Sequence, residues 1–458
     1  MKMILTLSFL TTALLAGLHE TKEGLFLEVY EKHDSQSRII AEVSTQKGHL
    51  EQLKCRGVRN SEWCKIRYRS EGVILEGWSD KKSLDALTQI PNTKSTFEMR
   101  YGGRYAEAGH DLLALDDGFL VVGSTESFGA GARDAYVVQT DPFGNKLWDK
   151  SYGGSRDDSV AAVIPFQEGY MLTGATYSFG NGNENLYALR IDANGQMMWQ
   201  EGYYTHKRDR YMGKALTLVN DQHVMVAGSQ EHVKFFNGDT FCYLTAIDAK
   251  GRQKWEQFYG GSSPDRANSI VKVNGGYVFA GMTESWGDSG KNMYVVKIDD
   301  EGKRVWHQAF GGELDDVAHK VIATTDGGYL LVGYTSSDHR KLKDVYVVKL
   351  DANGVSQWQR HYGGSADEEG LGVVEAEDGY VIVGYTKSTK DLSSDLYLLK
   401  IDFDGLVVWT HNYGANGNDG GEAIVKVTNG YVMTGFSDSS SDKGRELYLL
   451  KVDKEGRL

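Results

Sequence analysis

Proline is scarce in this chain: 458 residues contain only 4, set against 55 glycines. Glycine supplies the positive φ that hairpin turns need, so the imbalance points to many short elements joined by tight turns and to an all-β protein. After the first 17 residues no stretch is long and apolar enough to cross a bilayer, which excludes a helical membrane protein. His-Glu-x-x-His, Gly-x-Ser-x-Gly and Walker motifs are missing, and the 12 histidines are scattered, so the commonest metalloprotease, serine-hydrolase and nucleotide-hydrolysing chemistries lose their signatures. Excess positive charge is missing too. The first 96 residues hold 14 Lys/Arg against 12 Asp/Glu, which leaves about −15 on the rest and disfavours nucleic-acid binding.

What is present begins with MKMILTLSFLTTALLAG, one lysine followed by an apolar run and small residues, the form of a secretory signal. Residues 1–19 are read as that signal, and Leu18 stands where a lipoprotein would carry its acylated cysteine. The mature product is expected to be exported, periplasmic or extracellular, with no membrane span. In that oxidising setting Cys55 and Cys64 read as a disulfide, the alternative being two separate thiols. Cys242, within an apolar run, reads as a buried core thiol.

From Tyr101 onward one unit recurs. Its opening aromatic stands at Tyr101, Tyr152, Tyr203, Tyr259, Phe310, Tyr362 and Tyr413, with gaps of 51, 51, 56, 51, 52 and 51 residues. That length suits a four-stranded propeller blade. Each unit parses into strands separated by Asp-Gly-Gly-Tyr-type hairpins, Ser/Gly-rich loops and a closing Asp-x-x-Gly turn, the last at Asp141, Asp192, Asp248, Asp299, Asp351, Asp402 and Asp453. Tryptophan follows the turn glycine by four residues in six units, at Trp148, Trp199, Trp255, Trp306, Trp358 and Trp409. These rings read as packing between neighbouring blades, or alternatively as carbohydrate platforms. The seventh unit stops before its last strand, and Phe97-Glu98-Met99-Arg100-Tyr101 matches the missing Trp-x-x-x-Tyr. The predicted fold is therefore an all-β, seven-bladed propeller over residues 97–458 with an amino-terminal strand closing the last blade.

These units resemble bacterial β-propeller repeats with a Trp…Tyr-Gly-Gly…Asp-Gly-Gly-Tyr…Asp-x-x-Gly pattern, which implies an exported scaffold or binding platform. "YALRIDANGQMMW" also resembles the propellers of quinone-dependent dehydrogenases, although those usually have eight blades. Upstream, "CRGVRNSEWCKIRY" and "EGWSDKKSL" resemble the bacterial Src-homology-3-like domain over residues 24–85, with Trp63, Tyr68, Gly77, Trp78 and Leu84 on its motif and Ser79 in place of a valine. That resemblance implies a small β-barrel binding cell wall or peptide, followed by a linker over residues 86–96. Trp63 and Trp78 read either as groove or as core.

Two candidate sites follow. An acid stands six residues after each repeat aromatic: Glu107, Asp158, Asp209, Asp265, Asp316, Glu368 and Asp419. Seven carboxylates in register would make a ring at the channel mouth able to take Ca²⁺; alternatively each accepts N–H groups of its own loop. No other cofactor is expected. The third unit departs most from the pattern, and its two loops would place Lys207, Arg208, Arg210, His232, Lys234, Phe235 and Phe236 near Trp286 of the next unit. That basic, aromatic spot reads as an anionic-ligand or partner site, or as drift in a tolerant loop pair. The function expected is non-catalytic binding of an envelope or extracellular protein or glycan. The alternative is a periplasmic glycan hydrolase, lyase or quinone-type dehydrogenase using the channel mouth.

Overall fold

The computed structural model describes residues 18–458 apart from 22–23, 31–38, 45–48, 59–60, 71–72, 81–95, 233–238, 338–340, 390–391 and 440–443, and before residue 96 it describes backbone alone. The expected signal, apart from Leu18 and His19, and the expected linker, apart from Thr96, lie outside these residues. The amino-terminal strands form one six-stranded antiparallel sheet in the order Leu18–Thr21, Gly24–Tyr30, Val73–Asp80, Ser61–Ser70 and His49–Val58, with Ile39–Ser44 also paired to Gly24–Tyr30. Its register sets Cys55 directly opposite Cys64.

Residues 97–458 fold as a seven-bladed β-propeller of four-stranded antiparallel blades, with no helix among the described residues. Six blades take their four strands in chain order. The seventh runs Asp419–Val427, Gly430–Ser437, Glu446–Val452 and then Phe97–Tyr101, so the strand expected to close the last blade does so. Its Arg100 donates from Nε to Ser437 Oγ at 3.1 Å and lies over the Tyr448 ring. This closure removes the open sheet edge at which a seam would otherwise pair with another chain.

The second and third strands of each blade are buried on both faces, as in Gly276–Thr283 and Asn292–Ile298, so they read as continuous apolar runs. The outer strands keep a half-exposed aromatic pattern that serves the next blade. Tyr152, Tyr203, Tyr259, Tyr362 and Tyr413 donate their hydroxyls to the carbonyls of Gly195, Gly251, Gly302, Gly405 and Gly456, each the glycine of the following blade's Asp-x-x-Gly turn. Tryptophan completes the joint. Trp199 and Trp358 donate from Nε1 to Ala249 and Phe403 of the next turn at 3.0 and 3.1 Å. Trp306 lies so close over Gly354 that a Cβ there would sit 3.0 Å from the indole. The rings are packing between blades, and at the closing strand Phe97 meets Phe119 at 6.1 Å in the same manner as Trp306 meets Tyr329 at 5.9 Å.

The turns that receive these rings are built alike. In all seven, one Asp oxygen accepts the N–H groups two and four residues on, as Asp351 Oδ1 does from Asn353 and Val355, both at 2.8 Å. The glycine then takes the left-handed conformation, φ +81° at Gly354, which a side chain would strain.

Candidate functional site

The first strand of each blade lines the channel, and it carries the least repetitive chemistry of the propeller. In Asp158–Phe166, Arg210–Asn220, Asp265–Val273, Asp316–Ala323, Glu368–Glu375 and Asp419–Val427 the pairing to the second strand skips one residue. The residues skipped near the start of each strand are Ala161, Lys214, Asn268, His319, Leu371 and Glu422, and Arg210–Asn220 also skips Val219 near its end. A bulge bends the strand and re-aims the extra side chain, and all six line a cavity of about 750 Å³. His110, three residues after Glu107 as the bulge residue follows the acid in most blades, lines it in the first blade.

Glycine opposite the bulge makes the bend feasible. A Cβ on Gly281 would stand 1.9 Å from the Arg266 carbonyl, and every blade has a glycine at the matching place, Gly123, Gly174, Gly228, Gly333, Gly384 and Gly435. The bulge also frees N–H groups, two of which are capped from the neighbouring blade: Val163 N–H donates to Asp111 Oδ2 at 3.0 Å and Val321 N–H to Ser269 Oγ at 3.2 Å. The repeat thus fixes the backbone of the wall while leaving one side chain per blade free to differ.

Charge is gathered at this wall. On blades five and six, Glu369 receives His319 Nε2 at 3.1 Å, Lys343 Nζ at 2.5 Å and the Tyr385 hydroxyl at 2.6 Å. Burial alone would raise its carboxyl, but the hydrogen bonds and charges of His319 and Lys343, with the Tyr385 hydroxyl, hold it down to about 2. Lys343 also sits 4.2 Å from the Tyr334 ring. Burial pulls His110 down to about 4, helped by Lys214 and Arg133, so its imidazole is neutral at pH 7. Burial pushes the Asp111 and Glu422 carboxyls up and the Lys214 ammonium down.

The acids expected to form a ring are tied into their own loops. Gly103, Gly154, Gly261, Gly312 and Gly364 donate their N–H groups to Glu107, Asp158, Asp265, Asp316 and Glu368, and Ala415 donates to Asp419. Hydroxyls in or just past the second strand add to each set, such as Thr386 at 2.6 Å from Glu368 and Ser337 at 2.8 Å from Asp316, while Oδ1 of Asp265, Asp316 and Asp419 is buried without a hydrogen-bond partner among the described residues. Burial raises the Asp265 and Asp316 carboxyls. Among the described residues no group of three or more His, Cys, Asp or Glu is placed to hold a metal ion.

Asp209 departs from this register. Asp158, Asp265, Asp316, Glu368 and Asp419 each face a Thr or Ser of the second strand, but in the third blade that slot belongs to Tyr211, opposite Gln230. Asp209 lies two residues earlier, fully buried, accepting from Gln230 Nε2 at 2.5 Å and bonded to His232 Nδ1 at 2.6 Å. His232 in turn meets the His206 ring edge-on at 6.5 Å.

Of the residues expected on the third-unit surface, Lys207, Arg208 and Arg210 are exposed, and Lys234, Phe235 and Phe236 lie outside the described residues. The loop carrying Lys207 leans on the preceding blade, where Asn183 Nδ2 donates to the Lys207 carbonyl at 3.3 Å and Asn181 Nδ2 to the Asp209 carbonyl at 3.3 Å. Trp286 stacks on Tyr294 of its own blade, edge-on to His307 and beneath Arg304. The bulged channel wall is the feature of the fold that the repeat motifs do not announce. Its signal was the glycine in the middle of every second strand, which marks a bulge or a close backbone approach.

No protein-family model and no curated protein matches the chain. Among solved structures, Sqt1 from Chaetomium thermophilum is similar with a TM-score of 0.41 at 10% identity, over 74% of this chain and 82% of that one. A Synechocystis apocarotenoid oxygenase mutant is similar with a TM-score of 0.39 at 10% identity, over 79% and 86%. The acylaminoacyl peptidase of Pyrococcus horikoshii gives 0.41 at 10% identity, over 77% of this chain and 52% of that one.

Proposed function

We propose that this is an exported, non-catalytic binding protein whose propeller channel receives a ligand or a projecting part of an envelope partner, with the amino-terminal sheet as a small wall- or peptide-binding barrel. The observation that carries this reading is the set of bulge residues. All seven blades repeat the Asp-x-x-Gly turn and the glycine behind the first strand, yet the seven side chains at this place on the channel wall, His110 and the six bulge residues, are His, Ala, Lys, Asn, His, Leu and Glu. A structural role alone calls for similar residues at equivalent places; recognition of an asymmetric ligand calls for different ones. The leader-like amino terminus supports export, and the register that sets Cys55 opposite Cys64 is compatible with it.

The test is capture of envelope proteins and glycans by the exported chain and by an Ala161→Trp variant, which plugs the channel from a half-buried position. Loss of a specific captured species with an unchanged melting curve supports the reading. Capture that survives the plug moves the site to the outer loops.

The bond between Asp209 and His232 favours one second reading. A buried carboxylate that orients an imidazole is the geometry of a general base, and the His232 side chain stays 37% exposed beside the basic loop. Turnover on a glycan panel that disappears in His232→Gln would favour a hydrolase or lyase.

A further inference from the structure

We propose that the propeller channel is a binding site for a small, multiply charged oxyanion, carboxylate or phosphate, held by Lys214, Arg266 and Lys320. The inference rests on the channel-binding reading above and adds the ligand's chemistry. The propeller is acidic as a whole, so a cluster of cations inside it is not a reflection of composition. Four basic side chains line the cavity, Lys214, Arg266, Lys291 and Lys320, against the acids Asp111 and Glu422. Lys291 is spoken for, because its Nζ lies 2.6 Å from Asp315 Oδ2. Lys214, Arg266 and Lys320 make no ion pair among the described residues.

These three come from three consecutive blades, the third, fourth and fifth, so they converge on one side of the channel. Lys214 is a bulge residue, turned inward by the backbone. Protein encloses its ammonium on most sides while its side chain keeps contact with water in the channel, and burial lowers its pKa. Gathering three cations without ion-pair partners on neighbouring stretches of the channel wall costs stability unless an anion joins them, a trade usual for binding sites. A neutral donor lines the same cavity. The Tyr334 hydroxyl, pushed up to about 12 mainly by burial, keeps its proton. Asp111 and Glu422, on the first and seventh blades, are within electrostatic reach of Lys320 and Lys214, as Glu184 is of Lys214 and Arg266, and these acids would select against ligands that are anionic at both ends. The volume, about 750 Å³, is that of a small-molecule site, too large for a bare ion alone.

The test is calorimetric titration of the full chain with citrate and, separately, with inorganic phosphate, at fixed ionic strength, with galactose as a neutral control. Binding of citrate or phosphate that weakens at least tenfold in both Lys214→Met and Arg266→Met, and less in Lys214→Arg, supports the proposal. The two titrants separate a carboxylate ligand from a phosphate one. Melting curves of the variants guard against misfolding, and the wild-type affinity should also fall as salt is raised. Binding of galactose alone overturns the oxyanion assignment while leaving channel binding intact. Titration of neither anion overturns the proposal, and anion binding indifferent to both substitutions places the site elsewhere.

Discussion

The Tyr259 hydroxyl donates to the Gly302 carbonyl at 2.6 Å, across the boundary between two blades and out of reach of solvent. The same contact recurs at four other boundaries, so the opening aromatic of each unit is a latch between wedges. Burial raises the Tyr259 phenol well above its ordinary value, and it stays protonated as a donor throughout the physiological range. Tyr259→Phe removes the donor and leaves a buried carbonyl unpaired, at a cost of about 1–3 kcal/mol. On the fourth blade Phe310 holds the latch position without a hydroxyl. Phe310→Tyr is expected to raise the melting temperature as Tyr259→Phe lowers it. Calorimetry of the two variants checks the pair, and shifts of the same sign would sink the latch.

Glycine in the Asp-x-x-Gly turn has two reasons to be there, and they can be separated. Gly354 has φ +81° and lies under Trp306; Gly327, in a hairpin, has φ +83° and open space around the position of a Cβ. Gly327→Ala should cost about 1 kcal/mol for backbone strain alone. Gly354→Ala should cost more, because the indole must also move. Equal losses in urea unfolding would mean that the ring contact contributes nothing.

The acid caps predict indifference to chelation. Six of the seven carboxylates, Asp209 being the exception, are already met by their own loop's N–H and by a hydroxyl in or just past the second strand, as Asp316 is by Gly312 and Ser337, both at 2.8 Å. Asp316→Ala should therefore destabilise the propeller by about 1–2 kcal/mol through lost charge-assisted bonds, while EDTA leaves the melting temperature of the wild type unchanged. A fall on chelation, reversed by Ca²⁺, would return the acids to the role of ligands.

Much of the fold was legible because its signals are local. Asp-x-x-Gly states its own hydrogen bonds, and a seventh unit that lacks Trp-x-x-x-Tyr identifies its missing strand in Phe97–Tyr101. The site was less legible because it depends on register between strands. Counting six residues from Tyr203 selects Asp209, yet the loop carries two extra residues and Tyr211 occupies the equivalent slot. The bulges are similarly silent in the first strand itself, since one inserted residue turns Lys214 or His319 inward without altering the apolar alternation around it. The expected nearness of the third-unit loops to Trp286 involves residues outside those described, while the Trp286 ring itself stacks on Tyr294 of its own blade as Phe128 does on Tyr136 and Phe179 on Tyr187.

The channel wall makes a pH prediction whose sign is fixed by Glu369. Its carboxyl is held to about 2 in the folded chain against an ordinary value of 4.5, by His319, Lys343 and Tyr385 acting against burial. A depressed carboxyl binds fewer protons folded than unfolded, so its contribution is complete above pH 4.5 and is lost as pH falls towards 2. The span corresponds to something on the order of 3 kcal/mol. Glu369→Gln removes that dependence and leaves Lys343 and His319 facing a neutral amide. The variant should be clearly less stable than the wild type at pH 7, with the gap narrowing between pH 4.5 and pH 2, as read from urea midpoints across that range. Asp111, whose carboxyl is raised by burial, acts with the opposite sign in both proteins and cancels in the difference, whereas Glu422, raised mainly by burial and in part by the Glu369 charge, is relieved of that part in the variant. A gap that stays constant with pH would mean that Glu369 contributes by packing and neutral hydrogen bonds, and that the charges of Lys343 and His319 are balanced by other groups in the channel.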